Sequence, residues 1–350
     1  MDERSGRPLD SRPRRSTLAD VAARAGVSPS SASMALSDSP RISARTKENV
    51  RRAASELAYH PHAAGRALRM QRVGALAVAI PDLPEEVFRR PFWFSLLAGI
   101  VEVASTADMT TVLSTRGHGQ DERVAYERLA RSRTADGIVI VQTRLDPRVL
   151  DGLVAGVPAT VVGKVPTNAG VNSVSSADEQ GAYEVVRHLL EVHGVRRVAH
   201  VRGRVDRAST IDKRAGYLRA LAEAGIDGTR QPVALGGYDA QVAAQAVQQM
   251  LPGLAAGDAI FFDSDQMAVG AREVLVGAGL PYPQRLAVVG FDDYVEEYDG
   301  PPLTTIRVDR TELGRLAANN LLRHVADPSR PTGHEDLPSP LVVRASCGCA

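Results

Sequence analysis

Cysteine is scarce in this chain: of 350 residues only Cys347 and Cys349 carry thiols, both near the end. That scarcity excludes a disulfide framework and fits a reducing cytoplasm. Two thiols also fall short of the four ligands that a structural zinc takes. The eight His are scattered without metal-like spacing, so no metal site and no cofactor is expected. Long apolar runs are missing too. None approaches the roughly 20 residues that span a bilayer, and no secretory signal opens the chain. Catalytic signatures are absent: there is no GxGxxG after a strand, no Walker loop, no HExxH and no GxSxG. The carboxylates of Asp263 and Asp265 follow an apolar run, where a strand-end cap is a simpler reading than a metal pair. These absences argue against an enzyme, a membrane protein and a stapled secreted domain.

Charge is present but unevenly spread. The whole chain carries a formal net charge of only +1. Residues 1–72 hold 14 Lys or Arg against 7 Asp or Glu, and the remainder holds 28 against 34. A basic head on an acidic body is expected to meet phosphate with the head alone. Residues 1–16 read as a disordered basic tail, yet nine of the 14 basic residues come after it.

The head's pattern is local. In Thr17–Leu36, TLADVAARAGVSPSSASMAL, residues Leu18, Val21, Ala22 and Ala25 fall at helical spacing. Thr17 stands where an N-cap oxygen is wanted, and Gly26 can take the left-handed conformation that ends a helix. Ser28 caps a second helix with Pro29 in its first position, where no amide donor is needed. Val27, Ala32 and Ala35 complete a small core. The pattern predicts a helix-turn-helix whose second helix lies in the DNA major groove. A third helix starts at Ser43, with Val50, Ala53, Ala54 and Leu57 on one face and Arg45, Lys47, Arg51 and Arg52 on the other. Pro61 ends it.

From Val73 short apolar runs alternate with amphipathic stretches. One set of strands is expected at 73–80, 110–114, 137–141 and 159–162, and a second at 198–201, 233–235, 259–262 and 286–291. Helices are expected between them at 94–104, 122–130, 181–191, 213–224 and 240–250. Such alternation predicts parallel sheets with crossover helices, in two doubly wound lobes with a ligand cleft between them. Asp292 follows one strand and Asp265 another, so each carboxylate is placed either to accept hydrogen bonds from a polyol or to cap a helix.

These motifs, in this order, resemble the lactose/galactose-repressor (LacI/GalR) family of bacterial transcription regulators. The resemblance rests on TLADVAARAGVS, ISARTKENVRRAASELAYHPHAAGRAL, PFWFSLLAGI, ADGIVIV, AIFFDSDQMAVGA, LAVVGFDD and PPLTTIRVD. It implies an all-α helix-turn-helix head on an α/β periplasmic-binding-protein-like body of two doubly wound parallel-sheet lobes. The implied domains are residues 17–61 for the head, 62–72 for a hinge helix and 73–345 for effector binding and dimerisation. Lobe 1 would take about 73–175 and 305–330, and lobe 2 about 176–304 and 338–345, with crossings near Ser175 and Thr305. In the family the hinge folds on DNA and pushes a leucine into the minor groove; Leu68 holds that position, and Arg66 and Arg69 suit the flanking phosphates.

The DNA-binding residues expected are Thr17, Ser28, Pro29, Ser30, Ser31, Ser33, Met34, Arg41, Arg66 and Leu68. Met34 departs from the family's arginine, which reads guanine with two hydrogen bonds. The effector-binding residues implied are Phe92, Phe94, Lys213, Asp265 and Asp292, with the rings from Phe92 to Phe94 in a loop facing the cleft. Lys213 replaces the family's arginine, and the two differ in geometry. The expected function is a repressor that binds a near-palindromic operator as a homodimer, in the cytoplasm and on the nucleoid, under control of a sugar-like effector. No leucine heptad tail follows the last strand, which favours a dimer over a tetramer. A nucleobase corepressor is the alternative within the family, and a stand-alone small-molecule-binding protein is the alternative outside it.

Overall fold

The computed structural model describes residues 16–59, 73–87, 91–121, 123–132, 134–141, 156–165, 170–294 and 299–349. Its contacts divide the chain into two units, 1–73 and 74–350. The hinge positions Arg66 and Leu68 lie outside the described residues.

The first unit holds three helices, α1 (Leu18–Ala25), α2 (Pro29–Leu36) and α3 (Ala44–Glu56). Each starts at a hydroxyl cap. Thr17 Oγ1 accepts from the Asp20 amide, and Asp20 returns the bond by accepting from the Thr17 amide. Ser28 accepts from the Ser31 amide and Ser43 from the Thr46 amide. Gly26 ends α1 at φ +67°, the left-handed turn expected of it. The buried core is Val21, Ala22, Ala32, Ala35, Val50, Ala53 and Ala54. Five of its seven members are alanines, which bury little area each, so caps at about 1 kcal/mol apiece carry a large share of this unit's stability.

The second unit is built on two parallel sheets. The first contains β1 (Ala75–Ile80), β2 (Thr110–Thr115), β3 (Gly137–Val141), β4 (Ala159–Val162), β5 (Asn172–Ser176) and β11 (His334–Leu337), in the order β11-β5-β4-β3-β1-β2. The second contains β6 (Val198–Arg202), β7 (Val233–Leu235), β8 (Ala259–Phe262) and β9 (Ala287–Val289), in the order β7-β6-β8-β9. A short antiparallel pair, β10 (Thr305–Ile306) with β12 (Leu341–Val342), adjoins the second sheet through the bridge Val289–Thr304. The segment His334–Leu337, which the sequence reading gave to neither lobe, joins the edge of the first sheet beside β5. The strand Asn172–Ser176, NSVSS, was also not expected. Ser173 and Ser175 lie buried and hydrogen-bond the His334 ring of the neighbouring strand.

Helices cover the sheets. The short α4 (Pro84–Val87) follows β1; α5 (Pro91–Thr106) and α6 (Arg123–Ser132) belong to the first lobe. The second lobe has α7 (Asp178–Val192), α8 (Ala208–Glu223), α9 (Ala240–Met250) and α10 (Asp265–Gly277). Then α11 (Arg310–Ala326) returns to the first lobe, where Leu313, Ala317, Ala318 and Leu321 join the core of Leu76, Val78, Leu96 and Ile100. The chain therefore crosses between lobes three times, at Ala177, at 307–309 and at 338–340. Close helix pairs are α5 with α11 in the first lobe, and α7 with α8 and α9 with α10 in the second. A Cβ on Gly99 would collide with the Thr311 carbonyl oxygen, and one on Gly216 with that of Glu179. Among the described residues no helix is long and apolar enough to cross a membrane.

Candidate DNA-binding face and ligand cleft

On the head, α2 presents its first turn to solvent. Ser28, Pro29 and Ser30 are exposed, and Ser31 and Met34 are half-buried. Thr17 and Arg41 are exposed as well. Ser33, by contrast, is only 6% exposed, and its hydroxyl has no hydrogen-bond partner among the described residues. The expectation of a DNA contact there is corrected by burial. The basic face of α3 is partly spent inside the head. Asp38, at φ +57°, takes Lys47 at 3.0 Å and Arg51 at 2.8 Å, while Arg24 pairs with Glu56 at 2.7 Å. Arg41 and Arg45 have no carboxylate partner among the described residues, which leaves them as cations for phosphate.

In the body, a cleft enclosing about 150 Å³ opens where strand ends from both lobes meet. Its charged walls come from the turns after successive strands: Lys164 after β4, Asp178 after β5, Arg204 and Arg207 after β6, and Asp292 after β9. Such carboxyl ends are where open parallel sheets bind ligands. Tyr238 and Tyr294 add half-buried aromatic surface, and Trp93, 1% exposed, backs the wall from the core.

Three ion pairs bridge the lobes around it. Asp82 meets Arg207 at 3.2 Å with both side chains buried, Lys164 meets Asp212 at 3.4 Å, and Asp292 meets Arg310 at 2.9 Å. Removing one member of a buried pair strands the other charge, at about 3–5 kcal/mol. Asp292 stands at φ +119° and Asp293 at φ +57°. Two successive non-glycine residues in such conformations cost about 1–3 kcal/mol each, a strain that concentrates at binding sites. The backbone there is pinned from outside the cleft. Asp293 binds Arg307 at 2.6 Å and Arg344 at 2.7 Å, contacts that hold its carboxyl below the usual range despite burial.

Lys213 is buried in the cleft wall. Its ammonium donates to the Asp263 carbonyl at 2.9 Å and lies 3.9 Å from the centre of the Phe291 ring. Burial works against its charge, but Tyr238, Asp178, Asp292 and Asp263 outweigh burial and raise its pKa. Asp178, buried behind Ser176, is pushed up to about 6 by desolvation, against the pull of Lys213. A carboxyl poised there can donate or accept a hydrogen bond near neutral pH.

The structure brings together two of the five expected effector residues, Lys213 and Asp292. Asp265 is corrected: its carboxylate is 1% exposed and accepts from Thr305 Oγ1 and the Asp293 amide, both at 2.7 Å. It fastens the strained turn from behind rather than lining the cleft. Nor does it cap α10, since Ser264 does that. Asp263 is likewise committed, to His200 Nε2 and the Gly203 amide, each at 2.7 Å. Phe94 is corrected as well. Pro91 starts α5 where a loop was expected, and the helix leaves Phe94 53% exposed while Trp93 lines the cleft. The side chain of Phe92 lies outside the described residues. Sequence reasoning missed Asp178, Arg204, Arg207, Asp212, Tyr238 and Arg310. Their shared signal was position after a strand or at a helix start, which could have been applied at every strand instead of two.

Residues 17–62 match the family described as bacterial regulatory proteins, lacI family, and residues 186–347 match a periplasmic binding protein-like domain. The transcriptional regulator CelR of Thermobifida fusca is 30% identical over 96% of this chain and 99% of its own. The repressor CytR of Escherichia coli is 27% identical over 94% and 96% respectively. Among solved structures, a Lac repressor dimer bound to operator and the anti-inducer ONPF superposes with a TM-score of 0.83 at 27% identity, over 95% of this chain and 99% of that one. A CelR–cellobiose complex superposes with a TM-score of 0.70 at 29% identity, over 95% and 100%.

Proposed function

The chain belongs to the LacI family of bacterial transcription regulators, and from that premise we propose that its interlobe cleft binds a neutral sugar which controls operator affinity. The protein is a DNA-binding transcription regulator and not an enzyme. It acts as a homodimer on a near-palindromic operator, because a two-fold protein matches two half-sites. Its place of work is the cytoplasm, where the operator is.

The observation that carries the sugar reading is the ring of paired carboxylates and guanidinium groups beside Trp93. A polyol offers hydroxyls that both donate and accept, and it fits a wall where acids and bases alternate. Asp292 accepts from ligand hydroxyls on the side turned from Arg310. Arg204 and Arg207 donate, and the half-buried rings of Tyr238 and Tyr294 pack against the sugar. Named relatives bind compatible ligands: the CelR structure holds cellobiose. Control follows from position. A ligand touching Asp292, Arg310 and Arg207 acts on pairs that join the lobes, and it shifts their arrangement by its differential affinity for the two states.

The test is a thermal-shift panel of neutral mono- and disaccharides, sugar phosphates and nucleobases on the full chain. A ligand at 100 times its Kd stabilises by about 2.7 kcal/mol. We expect a neutral sugar to give the shift, and Asp292→Asn to weaken its binding by roughly ten- to a hundredfold, since a hydrogen bond to a charged acceptor contributes about 1.5–3 kcal/mol. A response to nucleobases alone replaces the sugar reading. Unchanged affinity in Asp292→Asn makes that residue an interlobe tie only.

A further inference from the structure

Two cysteines cannot hold a structural metal, but the fold brings two histidines to them. His188 lies near the end of α7, and His193, five residues on, is its C-cap. Cys347 closes the turn Ala345–Cys347, and Gly348, at φ +102°, reverses the chain so that both sulfurs return to the same side. The two segments are more than 150 positions apart, beyond the reach of any spacing rule.

The four ligand atoms converge. His188 Nε2 is 3.3 Å from His193 Nε2, 3.5 Å from Cys347 Sγ and 3.6 Å from Cys349 Sγ. Cys349 Sγ is 3.4 Å from His193 Nε2, and all four atoms lie within 4.8 Å of one another. Zinc bonds nitrogen at about 2.0–2.1 Å and thiolate at about 2.3 Å, so a tetrahedral site has edges of about 3.3–3.4 Å between nitrogens and about 3.6 Å between nitrogen and sulfur. The four observed separations match those edges, and the other two, from Cys347 Sγ to Cys349 Sγ and to His193 Nε2, are no longer than 4.8 Å. Hydrogen bonding alone accounts for them poorly. A ring nitrogen has one in-plane lone pair or one proton, and His188 Nε2 has three close neighbours.

We propose that His188, His193, Cys347 and Cys349 form a closed tetrahedral zinc site that fastens the C-terminal turn to the second lobe. Binding joins Zn²⁺ to two neutral imidazoles and two thiolates, releasing two thiol protons to solvent. The protonated Cys347 thiol donates to the Arg344 carbonyl at 3.3 Å, and the metal replaces that proton. The turn is already held for it. Ser346 Oγ donates to the Val288 carbonyl at 2.6 Å and accepts from the Thr304 amide at 2.8 Å. The Thr304 hydroxyl lies 3.1 Å from Cys347 Sγ, placed as an outer-shell partner of the thiolate. Four protein ligands and partial burial leave no open coordination position, so the ion's role is structural.

The test uses reduced, chelator-stripped full-length protein titrated with Co²⁺ and then Zn²⁺. The expected result is one cobalt per chain, with the intense visible absorption of a tetrahedral sulfur–nitrogen site, displaced stoichiometrically by zinc. Zinc should also raise the unfolding temperature of the body. Cys349→Ser and His193→Gln alter partly exposed positions and should fold. Each should lower zinc affinity by more than the roughly 10- to 100-fold that loss of an outer-shell partner costs. Octahedral, weakly absorbing cobalt overturns the proposal, as does equal zinc affinity in wild type and Cys349→Ser. A Cys347–Cys349 disulfide that forms in air, in protein that binds no zinc after reduction, overturns it too.

Discussion

The head and the body solve opposite problems. The head keeps a core of seven small residues and turns its working atoms outward; Ser28, Pro29, Ser30 and Arg41 are all exposed. The body has four extensive cores and turns its working atoms inward. Arg207, Lys213, Arg310 and Asp178 are each 4–6% exposed, and partner residues hold them in place. A surface that meets phosphate needs little enclosure, because long-range charge supplies affinity. A cleft that recognises a small neutral ligand must exclude water and fix each polar group. One consequence is that a defect in the head should be seen by DNA, and a defect in the body by stability and ligand first.

The largest expected effect comes from cutting the two apart. A fragment lacking residues 1–72 should stay folded and bind effector, because the body's cores draw on no head residue. Its operator affinity should fall by the full specific margin, roughly 10³- to 10⁷-fold. Unfolding of the fragment in calorimetry, or operator binding in a footprinting titration, breaks the division.

Glycine substitutions sharpen the same contrast. Gly216 is needed for space, since any Cβ would run into the Glu179 backbone where α7 and α8 touch. Gly216→Val should cost about 1–3 kcal/mol or somewhat more, the range for overpacking, and lower the body's transition only. Gly26 is needed for conformation, and a Cβ there would meet open space. Gly26→Ala should cost about 1–2 kcal/mol from the left-handed backbone alone, and lower the head's transition only. Differential scanning calorimetry of both variants reads the two losses separately; shared losses would mean that the units unfold as one.

The buried acids of the body should also respond to pH with a sign opposite to that of Asp38 in the head. In the head, Lys47 and then Arg51 hold the Asp38 carboxyl below its ordinary value. Its contribution is present above pH 3.8 and is lost as pH falls through the folded value. In the body, burial pushes Asp178 up to about 6 and Asp265 up to about 7, and raises Asp212 as well. The folded body binds more protons than the unfolded chain between pH 4 and those values, so these acids lose stability as pH rises. Asp293, Asp227 and Asp327, held low by hydrogen bonds, and His200 and His188, lowered by burial, work against that trend. The clean readout is therefore a difference. Asp178→Asn should gain on wild type from pH 4 to 6, by on the order of 1–3 kcal/mol, and level off above. A gap that stays constant with pH in denaturant titrations removes Asp178 from the buried acids.

Legibility in the sequence divides along the same line. The head was legible almost whole, because caps, turn glycine and apolar spacing act within a few residues of one another. The three caps at Thr17, Ser28 and Ser43 stand where expected. In the body the strands with apolar runs were legible to within a residue or two, such as Gly137–Val141 and Ala259–Phe262. NSVSS at Asn172–Ser176 was not, because Ser173 and Ser175 are satisfied by a strand more than 150 residues later. The cleft was half legible for a related reason. Position after a strand marked Asp292 and Asp265 alike, and only the fold shows that Asp292 faces the cleft while Asp265 turns to Thr305 and the Asp293 amide. Alternation along a strand tells which face is buried, whereas a turn residue's direction depends on contacts that are remote in sequence.

The smallest expected effect concerns Ser33, where the head's own rule has an exception. Helix α2 was read as a row of hydroxyls toward DNA, and Ser30 and Ser33 would both belong to it. They are three residues apart, close to one helical turn, yet Ser30 is exposed and Ser33 is 6% exposed between the buried Ala32 and the half-buried Met34. The Ser33 hydroxyl has no hydrogen-bond partner among the described residues. Replacing a buried, unmatched hydroxyl with hydrogen removes a desolvation cost and no bond. Ser33→Ala should therefore change both head stability and operator affinity by no more than about 0.5 kcal/mol, with any stability change upward. Ser30→Ala should leave stability alone and weaken operator binding by about the 0.5–1.5 kcal/mol of one neutral hydrogen bond. Fluorescence-anisotropy titrations on one operator compare them directly. If Ser33→Ala weakens binding as much as Ser30→Ala does, then Ser33 is uncovered when the head meets DNA, and the head resembles the body in keeping a working residue inside.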